Sequence, residues 1–299
     1  MKFLEYQIGS PINIPQNYNK IIFGDLHGNV IKLIDILLMV NMLEVKSQNS
    51  YLEFLKELED KKFLDYLKYF NLKKSTKHLY LLGDCFGDRN GFEILKLKIL
   101  TDQHNFNNNF TILFGNHDSA ALSMIVNRKE KKTKPCFKEF EVMYFLTDLK
   151  VNVIQVVKDF KSLIKNHYKL CDLINNQFFL THAPVSEQNI LTICNNYFQL
   201  NIQEITDEIN KYFQENIFDE IKKSLSINTY IDEFIWQRFE SYDCIFYNRY
   251  NSQIKNQQNK IIQVTGHDKY ESNDYIICLD NYNGKVPNYQ DSEYIFVLE

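Results

Sequence analysis

The stretch Ile21-Ile22-Phe23-Gly24-Asp25-Leu26-His27-Gly28-Asn29 decides how the rest of the chain is read. Its first three residues are an apolar run of strand length. Gly24-Asp25 stops that run with a turn and a carboxylate, so a buried strand feeds a polar loop. Asn29 to Leu43 then carries apolar residues at helical spacing: Leu33, Ile36, Leu37 and Val40. The same order of strand, polar loop and helix recurs. Leu79–Leu82 ends at Gly83-Asp84 and precedes a helix over Phe92–His104, and Phe110–Phe114 ends at Gly115-Asn116-His117. Three such units predict an α/β sheet whose strand C-termini carry a site.

Outward from these units the pattern is plainer. Tyr51 to Phe70 is expected to be an amphipathic helix laced with Glu and Lys. After the third unit the chain reads as mostly helical, interrupted by a strand at Gln177–Thr181. Strands return at Lys260–Thr265, Tyr275–Leu279 and Tyr294–Leu298. No linker rich in Pro, Gly or Ser and no internal repeat divides the 299 residues. One domain over 1–299 is therefore expected, with helical insertions near 43–74 and 186–240. The charge run Arg128–Lys134 reads as a solvated loop.

Composition narrows the class. With 44% hydrophobic and 14% aromatic residues the chain can bury a sizeable core. A net charge of −4 argues against a general nucleic-acid binder, which needs a basic surface to displace counterions. The six cysteines (Cys85, Cys136, Cys171, Cys194, Cys244, Cys278) are scattered with no Cys-x-x-Cys pair, as buried thiols in a reducing compartment would be. No segment approaches the roughly 18 apolar residues of a membrane span. Met1-Lys2-Phe3-Leu4-Glu5 meets charge too soon for a secretory signal, so a cytoplasmic setting is expected.

The chemistry concentrates in five segments: Gly24–Asn29, Gly83–Arg89, Gly115–Asp118, Thr181-His182 and Gly266-His267. Four of the seven histidines lie there, each after a run of strand-forming residues. Asp, His and Asn supply the oxygen and imidazole donors suited to Mn, Fe or Zn. Asp25 and His27, two apart at one strand end, can reach one ion. Asp84 on the neighbouring strand end can bridge two ions through its two oxygens, and Asn116, His182 and His267 complete a second position. Two cations about 3.5–4 Å apart clamp a phosphate and acidify water at neutral pH.

In order, GDLHGN, GDCFGDR, GNHD, a strand-end His and GH resemble the calcineurin-like metallophosphoesterases over Phe23–Asp280. Lys269 stands where the wider family has a second His in its last motif, which is similar to the phosphoprotein phosphatase branch. Trp236-Gln237-Arg238 resembles a Trp-x-Arg segment shared by bacterial phosphoprotein phosphatases and diadenosine tetraphosphate hydrolases. The resemblance implies a four-layer αββα sandwich and two divalent ions, manganese first, with iron or zinc as alternatives. It implies Asp25, His27 and Asp84 on one ion and Asp84, Asn116, His182 and His267 on the other. His117 would be the general acid, oriented by Asp88. Arg89 and Arg238, with Asn116, would hold the phosphoryl group, a task suited to guanidinium forks. Attack would be direct, by a metal-bridging hydroxide. The expected substrate is a phosphorylated protein, at Ser/Thr or Tyr, and the alternative is a dinucleoside polyphosphate or another small phosphorylated molecule. A partner-binding scaffold without catalysis is the reading from another class.

Departures from the pattern are local. Asp88 lies four residues after Asp84 rather than three, and Asn90 replaces the usual Gly, so that loop must bulge. Ala183-Pro184 replaces a Gly-Gly, and Asp118 replaces a Glu and serves as a hydrogen-bond anchor for the loop. Arg249 stands as the fallback for Arg238. The extra loop residue and the His-Asp ending of the last motif are similar to the Wip-type effector phosphatases of intracellular bacteria, which implies delivery into a host cell's cytoplasm. His78, His104 and His167 match no motif and read as structural or surface residues.

Overall fold

Ile21, Ile22 and Phe23 are all buried, yet they face two different cores. Ile21 and Phe23 belong to the larger hydrophobic cluster, shared with the helices, and Ile22 to a smaller one. Side chains alternate across a strand, so a run that is apolar throughout needs cover on both faces. The structure is a computed structural model that describes residues 1–60, 65–86, 92–126, 153–194, 199–223, 229–236, 261–267, 276–279 and 292–299.

Strand β2 (Lys20–Phe23) pairs in parallel with β5 (His78–Leu81), and β5 in parallel with β6 (Phe110–Leu113), which adds the short β7 (Tyr168–Lys169). On its other side β2 pairs antiparallel with β12 (Ser292–Leu298), itself antiparallel to β1 (Lys2–Gln7). The first sheet thus runs β1-β12-β2-β5-β6-β7. A second sheet holds β8 (Cys171–Ile174), β9 (Phe178–Thr181), β10 (Ile262–Thr265) and β11 (Ile276–Cys278) in the order β11-β10-β9-β8. Within it β9, β10 and β11 are parallel and β8 is antiparallel.

The smaller core lies between the sheets. Ile22, Leu82, Leu113 and Phe296 from the first meet Ile174, Phe178, Leu180 and Val264 from the second. Phe179, between two inward-facing neighbours, belongs instead to the larger cluster. That cluster also takes in the apolar residues of helices α1 (Val30–Met39), α3 (Glu93–Phe106) and α5 (Val153–His167). Helix α2 (Ser50–Asp60) buries Phe54 and Leu58, and α4 (Asn116–Val126) buries Ala121 and Leu122. The longest helix among the described residues is α7 (Ile202–Lys223), which follows the short α6 (Glu187–Ile193). It buries Ile202, Ile205, Ile209, Phe213, Ile217 and Ile221, an i, i+3/i+4 stripe that faces the same cluster. The architecture is an α/β sandwich with helices outside two sheets. Among the described residues no helix is long and apolar enough to cross a membrane.

Some expected elements differ. The single helix over Tyr51–Phe70 is instead α2, a one-turn 3₁₀ segment at Tyr66–Lys68 and a strand, β4 (Phe70–Leu72). β4 pairs with β3 (Leu43–Val45), and the Phe70 ring meets Phe54 at 5.2 Å. Tertiary pairing here overrides helical propensity. β1, β7 and β8 were not expected either, and the chain after Asn116 is less purely helical than its pattern suggests. Each of these strands is short or at an edge, where alternation leaves little signal. Arg128–Lys134 lies outside the described residues.

Candidate metal centre

Five strand ends converge at one edge of the sandwich. β2 delivers Asp25 and His27, β5 delivers Asp84, and β6 runs into Asn116 at the start of α4. From the second sheet, β9 delivers His182 and the parallel β10 delivers His267, held in register by Thr181 opposite Thr265 and by Gly266 N–H donating to His182 C=O at 2.9 Å. All six side chains are buried. Two clusters form, Asp25–His27–Asp84 and Asp84–His182–His267, and within each the ligand atoms lie within 4.8 Å of one another. Asp84 belongs to both.

The backbone is bent to achieve this. His27 (φ 47°), Asp84 (φ 50°) and His267 (φ 68°) all adopt the left-handed region that non-glycine residues avoid. Such residues cost about 1–3 kcal/mol each and persist where the surroundings over-determine them. Hydrogen bonds supply that constraint. His117 N–H donates to Asp84 Oδ1 at 3.0 Å and His267 N–H to Asp25 Oδ2 at 2.8 Å. Asp118 accepts from Phe86 N–H (2.9 Å) and Gly115 N–H (3.2 Å), joining the second and third loops. A side chain at Gly115 would collide with the Asp84 carboxylate, and one at Gly266 with that of Asp25. The backbone approaches the donors too closely for any other residue.

His182 lies within the second of these clusters. Its Nδ1 faces the Leu82 carbonyl at 2.8 Å, which can only accept, so Nδ1 carries the hydrogen. Nε2 then faces Asn116 Oδ1 at 2.9 Å and Asp84 Oδ1 at 3.5 Å. Nε2 facing two oxygen acceptors needs a positive centre between them, which either a proton on the ring or a metal cation supplies. Burial alone would lower the ring's basicity, but Asp84 and Asp25 outweigh it and raise its pKa to about 10. Asp25 Oδ1 is buried without a hydrogen-bond partner among the described residues, and its nearest cationic neighbour is His182 Nδ1 at 3.4 Å. Two carboxylates, three imidazoles and an amide oxygen therefore fit divalent ions, with the Nδ1–H to carbonyl bond fixing the tautomer as in metal-bound histidines.

His117 is half-buried, its ring 6.5 Å from that of His27 in an edge arrangement. It sits in the first turn of α4, where the helix dipole favours an anion. Asp88, Arg89, Arg238, Arg249 and Lys269 lie outside the described residues. His167 and His104 form a hydrogen-bonded pair at 2.7 Å, and His78 bonds Thr111 at 3.0 Å, away from the clusters. The sequence reading did not single out Lys32 and Glu293, a buried ion pair of 2.6 Å beside the Asp25 loop. The available signal was a pair of charges, Lys32 and Asp35, inside α1, a helix whose other residues are all apolar.

A family model described as the WipA-like phosphatase domain matches residues 78–285. Among solved structures, the phosphatase domain from the Legionella effector WipB superposes with a TM-score of 0.63 at 17% identity, covering 86% of this chain and 100% of that one. A comparison with curated protein sequences found no match. With about two thirds of its length inside that model, this chain belongs to the WipA-like phosphatase-domain family.

Proposed function

We propose that the chain is a metal-dependent phosphomonoester hydrolase that acts on phosphoproteins, at Ser/Thr or Tyr, through two divalent ions. The observation that carries this reading is the sharing of Asp84 by two buried donor clusters. Asp25, His27 and Asp84 would hold one ion, and Asp84, Asn116, His182 and His267 the other. When bound, such ions supply positive charge to the phosphoryl oxygens and lower the pKa of water. Manganese suits this donor set, and iron or zinc are compatible with it.

The chain's own groups do the rest. The N-terminus of α4 points partial positive charge at an incoming phosphate. His117 holds a proton for the leaving alkoxide, and a positioned acid of this kind contributes about 10²–10⁴-fold. Asp88 orients His117, and Arg89 and Arg238 clasp the phosphoryl oxygens in this proposal. WipB's description as a Legionella effector supports the reading that this chain too is delivered into a host cell's cytoplasm.

The test is a panel of phosphoserine, phosphothreonine and phosphotyrosine peptides beside diadenosine tetraphosphate, with manganese and then with chelator. Hydrolysis of peptides that stops on chelation is expected. Cleavage of the dinucleotide alone would move the assignment to small-molecule phosphates, and activity indifferent to chelation would defeat the metal reading.

A further inference from the structure

Lys32 breaks local rules. It lies in the first turn of α1, where the helix dipole disfavours a cation, and its side chain is only 2% exposed. A fully buried lysine is rare unless paired. Its ammonium donates to Glu293 Oε1 at 2.6 Å and to the backbone carbonyl of Asp25 at 2.6 Å. Glu293 is equally buried, on the face of β12 that also bears Ile295 and Val297. The register explains the meeting. Ile295 pairs with Phe23, so two residues further along each antiparallel strand Glu293 stands level with Asp25.

Replacing such a pair by apolar residues is often neutral or stabilising, so stability alone does not account for it. Position does. Leu82 N–H still bonds Phe23 C=O, but at Asp25 the chain leaves the sheet for the left-handed turn at His27. A buried carbonyl there needs a donor, and a turn of that kind needs to be held. We propose that Lys32, pinned by Glu293, is a positioning residue: it clamps the Asp25 carbonyl and so fixes where the Asp25 carboxylate is presented to a metal ion. This rests on Asp25 being a metal ligand. It also makes the C-terminal strand a support of the first loop.

The test is manganese titration by calorimetry, beside thermal unfolding, of the full chain and two variants. One is Lys32→Met/Glu293→Leu, which removes both charges and keeps bulk. The other is Lys32→Met alone, which keeps the site's other partners if the double variant does not fold. Groups that orient metal ligands typically carry about 10–100-fold in affinity. At least a tenfold loss of affinity at one ion site is expected in whichever variant melts cooperatively, the second site being less affected. Wild-type affinity at both sites in a folded variant would reduce Lys32 to a structural residue. Failure of the unmodified chain to bind manganese would remove the metal reading itself, and this proposal with it.

Discussion

His27, Asp84 and His267 each accept an unfavourable backbone conformation at the place where their side chains meet, so the strain and the chemistry coincide. His117 is next to them without belonging to either cluster, so its role separates from ion binding. His117→Gln is expected to lower kcat on a phosphopeptide by about a hundredfold or more while manganese content stays the same; an unchanged kcat would remove it from the acid role. Away from the centre, Asp35 is fully buried in α1, accepting from Gly9 N–H at 2.6 Å and from the Tyr51 hydroxyl. Burial dominates these bonds and raises its pKa from 3.8 to about 7. Between those values the folded chain keeps a proton that the unfolded chain has released. The contribution is therefore full below about pH 4 and declines as pH rises towards 7. At about 1.4 kcal/mol per pH unit the full decline is on the order of 4 kcal/mol. Denaturant titrations at pH 4.5 and 8 should show Asp35→Asn flattening this slope, and parallel pH profiles would contradict the assignment.

At the scale of elements, the strand-loop-helix units were legible because two different periodicities meet at a glycine. Ile21-Ile22-Phe23 is apolar on both faces, and Asn29 accepts from Lys32 N–H at 3.0 Å as the cap of α1, which begins one residue later than its pattern suggests. The strand-end donors were legible for the same reason: each lies within four residues of the end of an apolar strand run. What the sequence did not announce depended on partners far away in the chain. Phe70 is a strand residue only because Val45 lies opposite it. Lys32 is a clamp only because Glu293, 261 residues on, reaches the same level of the sheet. Helix α7 belongs to this group too. Its stripe reads as an ordinary amphipathic helix, yet Phe213 packs on Phe114, just after β6 and just before the third loop, with ring centroids 5.2 Å apart. Removing α7 would therefore strip the core beneath the site. Phe213→Ala is expected to cost about 3–5 kcal/mol in urea unfolding; a loss under about 1 kcal/mol would mean the helix is peripheral.

For the whole molecule, the decisive feature is that the donors come from both sheets. Asp25, Asp84 and Asn116 follow strands of the first, and His182 and His267 follow strands of the second. The smaller core between the sheets sets the separation of these two edges, so the packing of Ile22, Leu113, Leu180 and Val264 indirectly sets the width of the site. A centre assembled from residues 25 to 267 exists only in the finished fold. Its anionic character appears in the direction in which Asp84 and Asp25 push the basicity of His182, upward against the effect of burial. The most direct test is anomalous diffraction at the manganese edge from crystals grown with manganese. Two peaks are predicted, one on each side of the Asp84 carboxylate, the first against Asp25 and His27 and the second against Asn116, His182 and His267. Absence of both peaks, or ions bound elsewhere with those six side chains turned apart, would contradict the account.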